Sequence, residues 1–276
     1  MPVTVIGYLS LDQIICPAGR FENVPGGAAY YCAAGAAVAG ASVRLVARAG
    51  EDYPQVALDR LEHLGVATQG VERVEGLSRR SRLHDPSGQD RTFPHISDEA
   101  WWEATRRLSP PVPNASGIFV FTAMPPDLLK AQMDARNPDD ILIADTSAAY
   151  AGTAGAALLV LVPRLYGFAP SREETRLLLP ELSDDDALRD LALRAPLVLQ
   201  KRGPEGIALK RRNGDILREP SAATSIVDTT GAGDSVVGVF AAAIAARDGD
   251  RDLLRECARV AARTVAGVGI AGLLGR

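Results

Sequence analysis

Short apolar runs alternate with longer amphipathic segments along most of the chain. The runs predict buried strands at residues 3–6, 43–46, 118–121, 141–144 and 197–199, and the segments between them have helical spacing. Such alternation is typical of a mainly parallel sheet that is covered by helices on both faces. We therefore predict an α/β fold in three layers (α/β/α), with ligands bound at the carboxyl ends of the strands.

Two of the helices are predicted at residues 27–39 and 53–64. Residues 33–41 are mostly alanine and glycine, and such a segment is too short and too small-sided to span a bilayer. It predicts a helix that is pressed closely against a neighbour. A hairpin is predicted at Asn213-Gly214, because this pair is a strong turn signal and apolar residues flank it.

A further, polar hairpin is predicted at residues 79–93, with its turn at 85–88. Arg80, Arg82 and His84 alternate along its first strand and therefore share one face. That face is either solvated or part of a flap whose cations meet a polar or anionic substrate. The sequence leaves both interpretations open.

Composition and charge narrow the class of protein. The 276 residues allow one large domain or two small ones at roughly 150 residues per domain. A hydrophobic content of 47% excludes global disorder, and a net charge of −4 speaks against a general nucleic-acid binder. Cys16, Cys32 and Cys257 form no disulfide framework, and no segment resembles a signal peptide. We therefore expect a cytoplasmic protein with neither a membrane nor a nucleic-acid partner.

The segment 226–235 carries the most informative chemical signal. A short β-prone run precedes its glycines and an apolar helical run follows at 236–246, so Gly231 and Gly233 lie at a helix N-terminus. Free backbone N–H groups and the helix dipole favour an anion there, and glycine lets the backbone approach it closely. A phosphate group is the usual ligand of such a site.

Two known phosphate-binding motifs do not fit this segment. A P-loop ends in Gly-Lys-Ser/Thr, and a dinucleotide fingerprint has the spacing G-x-G-x-x-G in the first strand–helix unit. Here Asp234 follows the last glycine, where a carboxylate would repel a docked phosphate. Asp234 either takes the proton of an alcohol that attacks the phosphorus or simply caps the helix, and the spacing does not decide between the two.

At this point the chain resembles a known family. The segment 228–234, Asp-Thr-Thr-Gly-Ala-Gly-Asp, closely resembles the signature of the ribokinase-like (PfkB) carbohydrate kinases. The pair 26–27 before an alanine-rich helix and the segments 171–174 and 201–206 resemble other family motifs in family order. The resemblance covers essentially the whole chain and implies a single ribokinase-like domain over residues 1–276.

The resemblance implies an ATP-dependent phosphotransferase that acts on an alcohol group. Asp234 is the implied general base. The backbone N–H groups of Gly231, Ala232 and Gly233 are the implied anion hole for the phosphoryl group. Glu174 would help to hold the magnesium ion of Mg-ATP through a water molecule.

The other implied contacts lie on the two sides of the reacting groups. The substrate side comprises Asp12, Gly26, Gly27 and Tyr31. The nucleotide side comprises Lys201, Gly203, Gly206 and Thr230. A monovalent cation such as K⁺ would lie beside the signature, with Asp228 and Thr230 as its candidate ligands. Each tyrosine of the pair Tyr30-Tyr31 either packs in the core or faces the substrate.

The family also implies a small β lid, which we expect from segments at about 12–24 and 76–96. Lids of this kind pair between subunits in some members, so a monomer and a homodimer both remain open.

Three positions depart from the family pattern. Tyr30-Tyr31 and Ser171 stand where asparagines are usual, and the segment 145–147 reads Asp-Thr-Ser instead of Asp-x-Asn. The aromatic pair resembles the divergent branch that includes myo-inositol kinases, which favours a sugar or cyclitol as acceptor. A nucleoside kinase, in which an aromatic ring stacks on the base, and a non-catalytic binding protein are the alternatives.

Overall fold

The computed structural model describes residues 1–87 and 92–275. In chain order the strands are β1 (Val3–Ile6), β2 (Ser10–Cys16), β3 (Gly19–Gly26), β4 (Val43–Gly50), β5 (Val66–Val74), β6 (Arg79–His84), β7 (Ile118–Phe121), β8 (Ile141–Ala144), β9 (Gly167–Phe168), β10 (Leu197–Lys201), β11 (Ile207–Arg211) and β12 (Ile216–Glu219). The helices are α1 (Ala28–Val38), α2 (Gln55–His63), α3 (Glu99–Arg107), α4 (Pro126–Asp134), α5 (Ala148–Leu161), α6 (Arg172–Leu178), α7 (Asp184–Arg194), α8 (Ala232–Ala246), α9 (Asp250–Val265) and α10 (Ala271–Leu274).

The large sheet has the strand order β12-β11-β10-β9-β8-β7-β1-β4-β5. Neighbouring strands from β10 to β5 are parallel, whereas β11 and β12 add an antiparallel edge. The strands predicted at 118–121 and 141–144 have those bounds in the structure, and the hairpin at Asn213-Gly214 joins β11 to β12. The prediction of a mainly parallel sheet is confirmed.

Side chains of the central strands alternate between two cores. Ile118 and Val120 of β7 pack in the core with α1, α2, α8 and α9, whereas Phe119 and Phe121 pack in the core with α4, α5, α6 and α7. Both faces of this strand are buried, which is why its sequence is a continuous apolar run. The helices therefore form the outer layers of the predicted three-layer fold.

Helices α1 and α8 touch along their backbones. A Cβ at Gly35 would lie 2.2 Å from the carbonyl oxygen of Ser235, and a Cβ at Gly238 would lie 2.0 Å from the carbonyl oxygen of Cys32. Only glycine fits at such distances, so the expected close packing of the small-sided helix is confirmed. This contact fixes the N-terminal end of α8 against α1.

A separate three-stranded sheet has the order β3-β2-β6. Strand β6 pairs in parallel with β2, so the main partner of the polar strand is not the returning half of the predicted hairpin 79–93. Among the described residues, that half contributes one bridge, between His84 and Thr92. The predicted turn residue Gly88 and the following Arg91 lie outside the described residues.

The exposed face of β6 agrees with the first of the two interpretations given above, in which this face is solvated. Arg80 forms an ion pair with Asp52, and Arg82 forms one with Asp98 at 2.6 Å. These arginines are solvated and paired, whereas the residues between them are buried. The pairing of β6 with β2 determines which face of β6 is buried. A pattern within residues 79–93 does not indicate that pairing.

Cys16, Cys32 and Cys257 are buried and free. In the described part of the chain, every helix is too short or too polar to cross a membrane.

His95 gives the fold a testable pH dependence. It is buried, its Nδ1 lies 2.9 Å from both the backbone N and O of Arg82, and its ring lies 5.0 Å from that of Trp101. Burial lowers its pKa from 6.5 to about 4. Between these values the unfolded chain binds a proton that the folded protein excludes, so acidification favours unfolding.

We expect the variant His95→Phe to lose less stability on acidification than the unmodified protein. Its free energy of unfolding should fall less between pH 7.5 and 5, by about 2 kcal/mol, because one pKa unit corresponds to about 1.4 kcal/mol. Urea unfolding at the two pH values measures this difference. Asp12, whose pKa is raised, acts in the opposite direction but contributes equally to both proteins. Equal pH dependence in the two would contradict the assignment.

Candidate active site

The loop before α8 is shaped to present backbone N–H groups. Gly231 immediately precedes the helix and has a φ of 75°, in the left-handed region that favours glycine. Among the described residues, no acceptor is present for the N–H groups of Gly231 and Gly233, whereas that of Ala232 points to the Thr229 carbonyl oxygen at 3.4 Å. The predicted helix N-terminus is confirmed, and two of its three predicted amides can receive an anion.

Side chains of the same loop hold its conformation. Asp228 is buried, and its Oδ1 accepts a hydrogen bond from the Thr230 N–H at 3.0 Å. Its Oδ2 is buried with no hydrogen-bond partner in the described part of the chain. Thr229 donates from its hydroxyl to Asp85 Oδ2 at 2.9 Å, which ties the loop to the segment that follows β6. An unpaired buried carboxylate oxygen is the type of group that a cation satisfies.

Asp234 is the third residue of α8 and lies half-buried in its first turn. Its charge acts on the acids Asp12, Asp145 and Glu174, and on the cation of Lys201. The chain brings these side chains together from strands and helices of both sheets. Asp234 therefore lies where the substrate side and the nucleotide side of the predicted site meet.

Lys201, which is predicted to lie on the nucleotide side, is the last residue of β10. Its Nζ lies 2.6 Å from Asp145 Oδ1, and a Cβ at Gly233 would lie 3.3 Å from its Cδ. Burial raises the pKa of Asp145, and the Lys201 ammonium opposes this. Burial by itself lowers the pKa of Lys201, but Asp145 and Glu174 raise it overall. We describe the two as a buried ion pair that is held against the start of α8.

Glu174 lies in the first turn of α6, next to this ion pair. Its Oε2 accepts from the Ser171 N–H at 2.6 Å, and its own N–H donates to Ser171 Oγ at 3.1 Å. This reciprocal arrangement is a capping box. Serine thus supplies the cap at the position where the family pattern has asparagine, and both residue types cap helices well. Burial raises the pKa of Glu174, and Lys201 lowers it.

Asp12, which is predicted to lie on the substrate side, is in β2. Ser10 donates to its Oδ1 at 2.6 Å, and a Cβ at Gly26 would lie 2.1 Å from its Oδ2. Gly26 therefore leaves the room that this carboxylate occupies, and Gly27 precedes α1. Burial raises the pKa of Asp12 to about 6.

The two tyrosines of α1 are both buried. Tyr30 packs in the core and donates to the Ala57 carbonyl oxygen at 3.3 Å. The ring of Tyr31 lies beneath the loop before α8, because a Cβ at Gly231 would lie 2.1 Å from its Cδ1. Tyr31 also reaches Gly26, whose Cβ would lie 3.5 Å from its Cε2. Both rings therefore pack in the core, and that of Tyr31 also lies between the loop and Gly26.

Two predicted nucleotide residues have a looser connection to the rest of the site. Gly203 and Gly206 belong to the turn between β10 and β11, where Arg202 N–H donates to the Gly206 carbonyl oxygen at 2.9 Å. Lys201, which comes just before this turn, connects the two glycines to the loop before α8. The structure joins Lys201 and Thr230 to the cluster more directly.

Sequence reasoning did not select Asp145 or Arg79 as site residues. Asp145 directly follows the buried strand β8, so its place at a carboxyl strand end was the available signal. Arg79 is buried on β6, and its charge acts on Asp12 and Asp234. No sequence signal distinguishes it from the exposed arginines beside it. In the described part of the chain, no three His, Cys, Asp or Glu side chains form a metal-binding group.

Comparisons with known proteins show the family of the chain. The model of the pfkB family carbohydrate kinases matches residues 3–272. A cytidine kinase of Thermococcus kodakarensis is 41% identical over 76 residues, which are 28% of this chain and 27% of that protein. The bifunctional protein HldE of Shewanella amazonensis is 30% identical over 99% of this chain and 60% of its own. The chain therefore spans less than two thirds of these relatives.

Other relatives match along nearly their whole length. The ribokinase of Bacillus subtilis is 25% identical over 98% of this chain and 94% of its own. The crystal structure of a Cryptococcus neoformans ribokinase in complex with ADP has a TM-score of 0.79 at 17% identity and covers 99% of this chain and 96% of its own. A Burkholderia thailandensis nucleoside kinase in complex with inosine has a TM-score of 0.76 at 19% identity, over 97% and 92% of the two chains. These structures share the fold.

Proposed function

Because the chain belongs to the pfkB family of carbohydrate kinases, we propose that it transfers the terminal phosphoryl group of Mg-ATP to a hydroxyl group of a small sugar or cyclitol. The observation that carries the proposal is the position of Asp234. It lies in the first turn of α8, directly after the N–H groups of the glycine loop, and its charge acts on Asp12. The proposed binding site of the phosphoryl group and the proposed proton acceptor are therefore adjacent.

The proposed reaction assigns one role to each group. Asp234 takes the proton of the acceptor hydroxyl as the hydroxyl oxygen attacks the terminal phosphorus of ATP, and the bond from that phosphorus to the bridging oxygen breaks, so that ADP leaves. The N–H groups of Gly231 and Gly233 stabilise the charge on the phosphoryl oxygens, and Asp12 orients the acceptor. Donors that are already aimed at the developing charge are worth several kcal/mol at the transition state.

The nucleotide side is assigned by the same argument. Lys201 is held in place by Asp145 and lies against Gly233, so its ammonium can meet a phosphate of the nucleotide. Magnesium, when bound with ATP, would neutralise phosphate charge, and Glu174 would hold it through water. Asp228, with its unpaired buried Oδ2, fits a monovalent cation together with Thr230.

The small sheet of β2, β3 and β6 is the proposed lid over this site. Asp12 belongs to it, and Asp85, just after β6, accepts a hydrogen bond from Thr229 of the loop. Closure of such a lid excludes water, which otherwise competes as phosphoryl acceptor. We further propose a single kinase domain in the cytoplasm, as a monomer or a homodimer.

A nucleoside kinase is the second candidate, because the cytidine kinase named above is 41% identical to this chain over 76 residues. ADP release with Mg-ATP, measured across sugars, cyclitols and nucleosides, separates the two. Turnover of one class assigns the acceptor. Tight nucleotide binding without ADP release from any class would instead indicate a binding protein and contradict the proposal.

A further inference from the structure

Arg79 lies on the buried face of the small sheet, near Asp12, which is the residue proposed to orient the acceptor. In the ladder between β2 and β6, Arg79 is paired with Ser10 and Ser81 is paired with Asp12. Paired residues of neighbouring strands point to the same side of a sheet, so Arg79 and Asp12 share one face. Arg79 is 7% exposed, whereas its neighbours Arg80 and Arg82 point to solvent.

The Arg79 guanidinium is enclosed by aromatic rings. Its Cζ lies 4.5 Å from the ring centre of Tyr8 and 5.0 Å from that of Trp101. Within residues 1–87 and 92–275, its Nε has no hydrogen-bond partner and no carboxylate oxygen lies within 4.0 Å of its nitrogens. A guanidinium stays charged even when buried, so this is a buried cation without a direct counter-ion.

Two further donors surround the same region without acceptors. Trp101 Nε1 and the Tyr150 hydroxyl are buried and have no hydrogen-bond partner in the described part of the chain. Tyr150 interacts electrostatically with Arg79, and Trp102 bridges the two rings with centroid distances of 4.7 Å to Trp101 and 5.9 Å to Tyr150. A buried donor without an acceptor costs about 1–3 kcal/mol, so native folds rarely retain several together.

The three groups have one chemical property in common. A guanidinium, an indole N–H and a phenol hydroxyl all donate hydrogen bonds, and one of them is positively charged. Their shared complement is a group with several acceptor oxygens and a negative charge. A carboxylate and a phosphate monoester both fit, because an arginine binds either of them with two parallel hydrogen bonds.

We propose that Arg79, with Trp101 and Tyr150, binds an anionic group of the acceptor, so that the substrate is a sugar or cyclitol that already carries a carboxylate or a phosphate. This inference rests on the proposed kinase function. It places the acceptor hydroxyl at Asp12 and Asp234 and the acidic end of the same molecule at Arg79. Arg79 and Asp12 lie on the same face of the small sheet, at neighbouring positions of the ladder that this face presents, and the charge of Arg79 acts on both Asp12 and Asp234.

Matched acceptors test the proposal. Sorbitol and gluconate differ by a carboxylate, and fructose and fructose 6-phosphate differ by a phosphate, so the two pairs separate the two anions. We expect the acidic member of at least one pair to raise the Tm more than its neutral partner and to have a KM at least tenfold lower. A protein that prefers neither acidic member in either assay would overturn the proposal.

Variants assign the preference to Arg79. Arg79→Gln should raise the KM for the acidic acceptor at least tenfold more than the KM for its neutral partner, with Arg79→Lys in between. Arg82→Gln, on the other face of the same strand, is the matched control and should change neither value. An equal rise for both acceptors in Arg79→Gln would mean that Arg79 only balances the acids around it, and would refute the inference.

A second variant covers the case in which Arg79→Gln fails to fold. Tyr150→Phe removes one unpartnered hydroxyl and no packing, so the protein should stay folded and lose affinity for the acidic acceptor only, by about threefold or more. An unchanged KM would contradict the role of this cluster. Failure of the kinase proposal has a different signature, because no acceptor, neutral or acidic, would then release ADP above the level of Asp234→Asn.

Discussion

Replacement of Asp234 by asparagine should lower kcat by about 10²–10⁴-fold, because the amide has the shape of the carboxylate but cannot accept the proton of the attacking hydroxyl. ATP affinity should change little, since the N–H groups of the loop remain in place. Steady-state ADP release gives kcat, and calorimetry with ATP gives the binding constant. The combination of lost turnover with retained binding is the expected signature of a general base.

The alternative role of Asp234 as a helix-capping acid predicts a different result. An acid in the first turn of a helix contributes about 0.3–1 kcal/mol to stability through the helix dipole. Asp252 is the matched control, because it is the third residue of α9 as Asp234 is the third residue of α8. Asp252→Asn should lower stability slightly and leave kcat unchanged. Near-normal turnover in Asp234→Asn, with a loss of stability like that of Asp252→Asn, would exclude the role as base.

The layers of the fold were predictable because their signals are local. A strand buried on both faces needs a continuous apolar run, and β7 and β8 lie where such runs were found. The end of the loop at Gly231 was predictable for the same reason, since a glycine before an apolar helix is a short-range pattern. Pairing across the chain has no such signal. Strand β6 gains its partner β2 from a segment that lies more than 60 residues earlier, and the predicted hairpin missed it.

The residues of the candidate site also differ in whether a local sequence signal marks them. The signature marks the loop and Asp234, because those residues are consecutive. The ion pair of Lys201 with Asp145 joins residues 56 positions apart, so only the folded chain reveals it. The alternation of β6 predicted a shared face for Arg80 and Arg82, and therefore an opposite face at Arg79. A buried arginine contradicts the general preference of charged residues for the surface, so no local pattern indicates that Arg79 is buried.

Replacement of Gly231 by alanine should both destabilise the protein and abolish most of its activity. The alanine would have to adopt a left-handed φ of 75°, and its Cβ would lie 2.1 Å from Cδ1 of the buried Tyr31 ring. Left-handed backbone costs about 1–2 kcal/mol, and overpacking in a buried site costs a further 1–3 kcal/mol. We expect a loss of about 2–5 kcal/mol in the free energy of unfolding.

The same change moves the N–H groups that are proposed to receive the phosphoryl group. A displacement of about 1 Å in a reacting site can lower the rate about 10²-fold, so kcat should fall by that factor or more. Gly40 is the matched control, because its φ of 85° is also left-handed but nothing lies within 4 Å of its Cβ position. Gly40→Ala should cost about 1–2 kcal/mol, from the backbone strain alone, and leave kcat unchanged.

The ring of Tyr31 can be tested as the cause of the difference between the two glycines. In the double variant Gly231→Ala with Tyr31→Leu, the smaller side chain leaves room for the methyl group. Its loss of stability should therefore be smaller than the sum of the two single losses, which a double-mutant cycle of urea unfolding measures. Additive losses would mean that the loop does not rest on this ring. Equal losses in Gly40→Ala and Gly231→Ala would likewise show that the backbone conformation alone requires glycine, and Tyr31 would then have no part in holding the loop that presents the N–H groups.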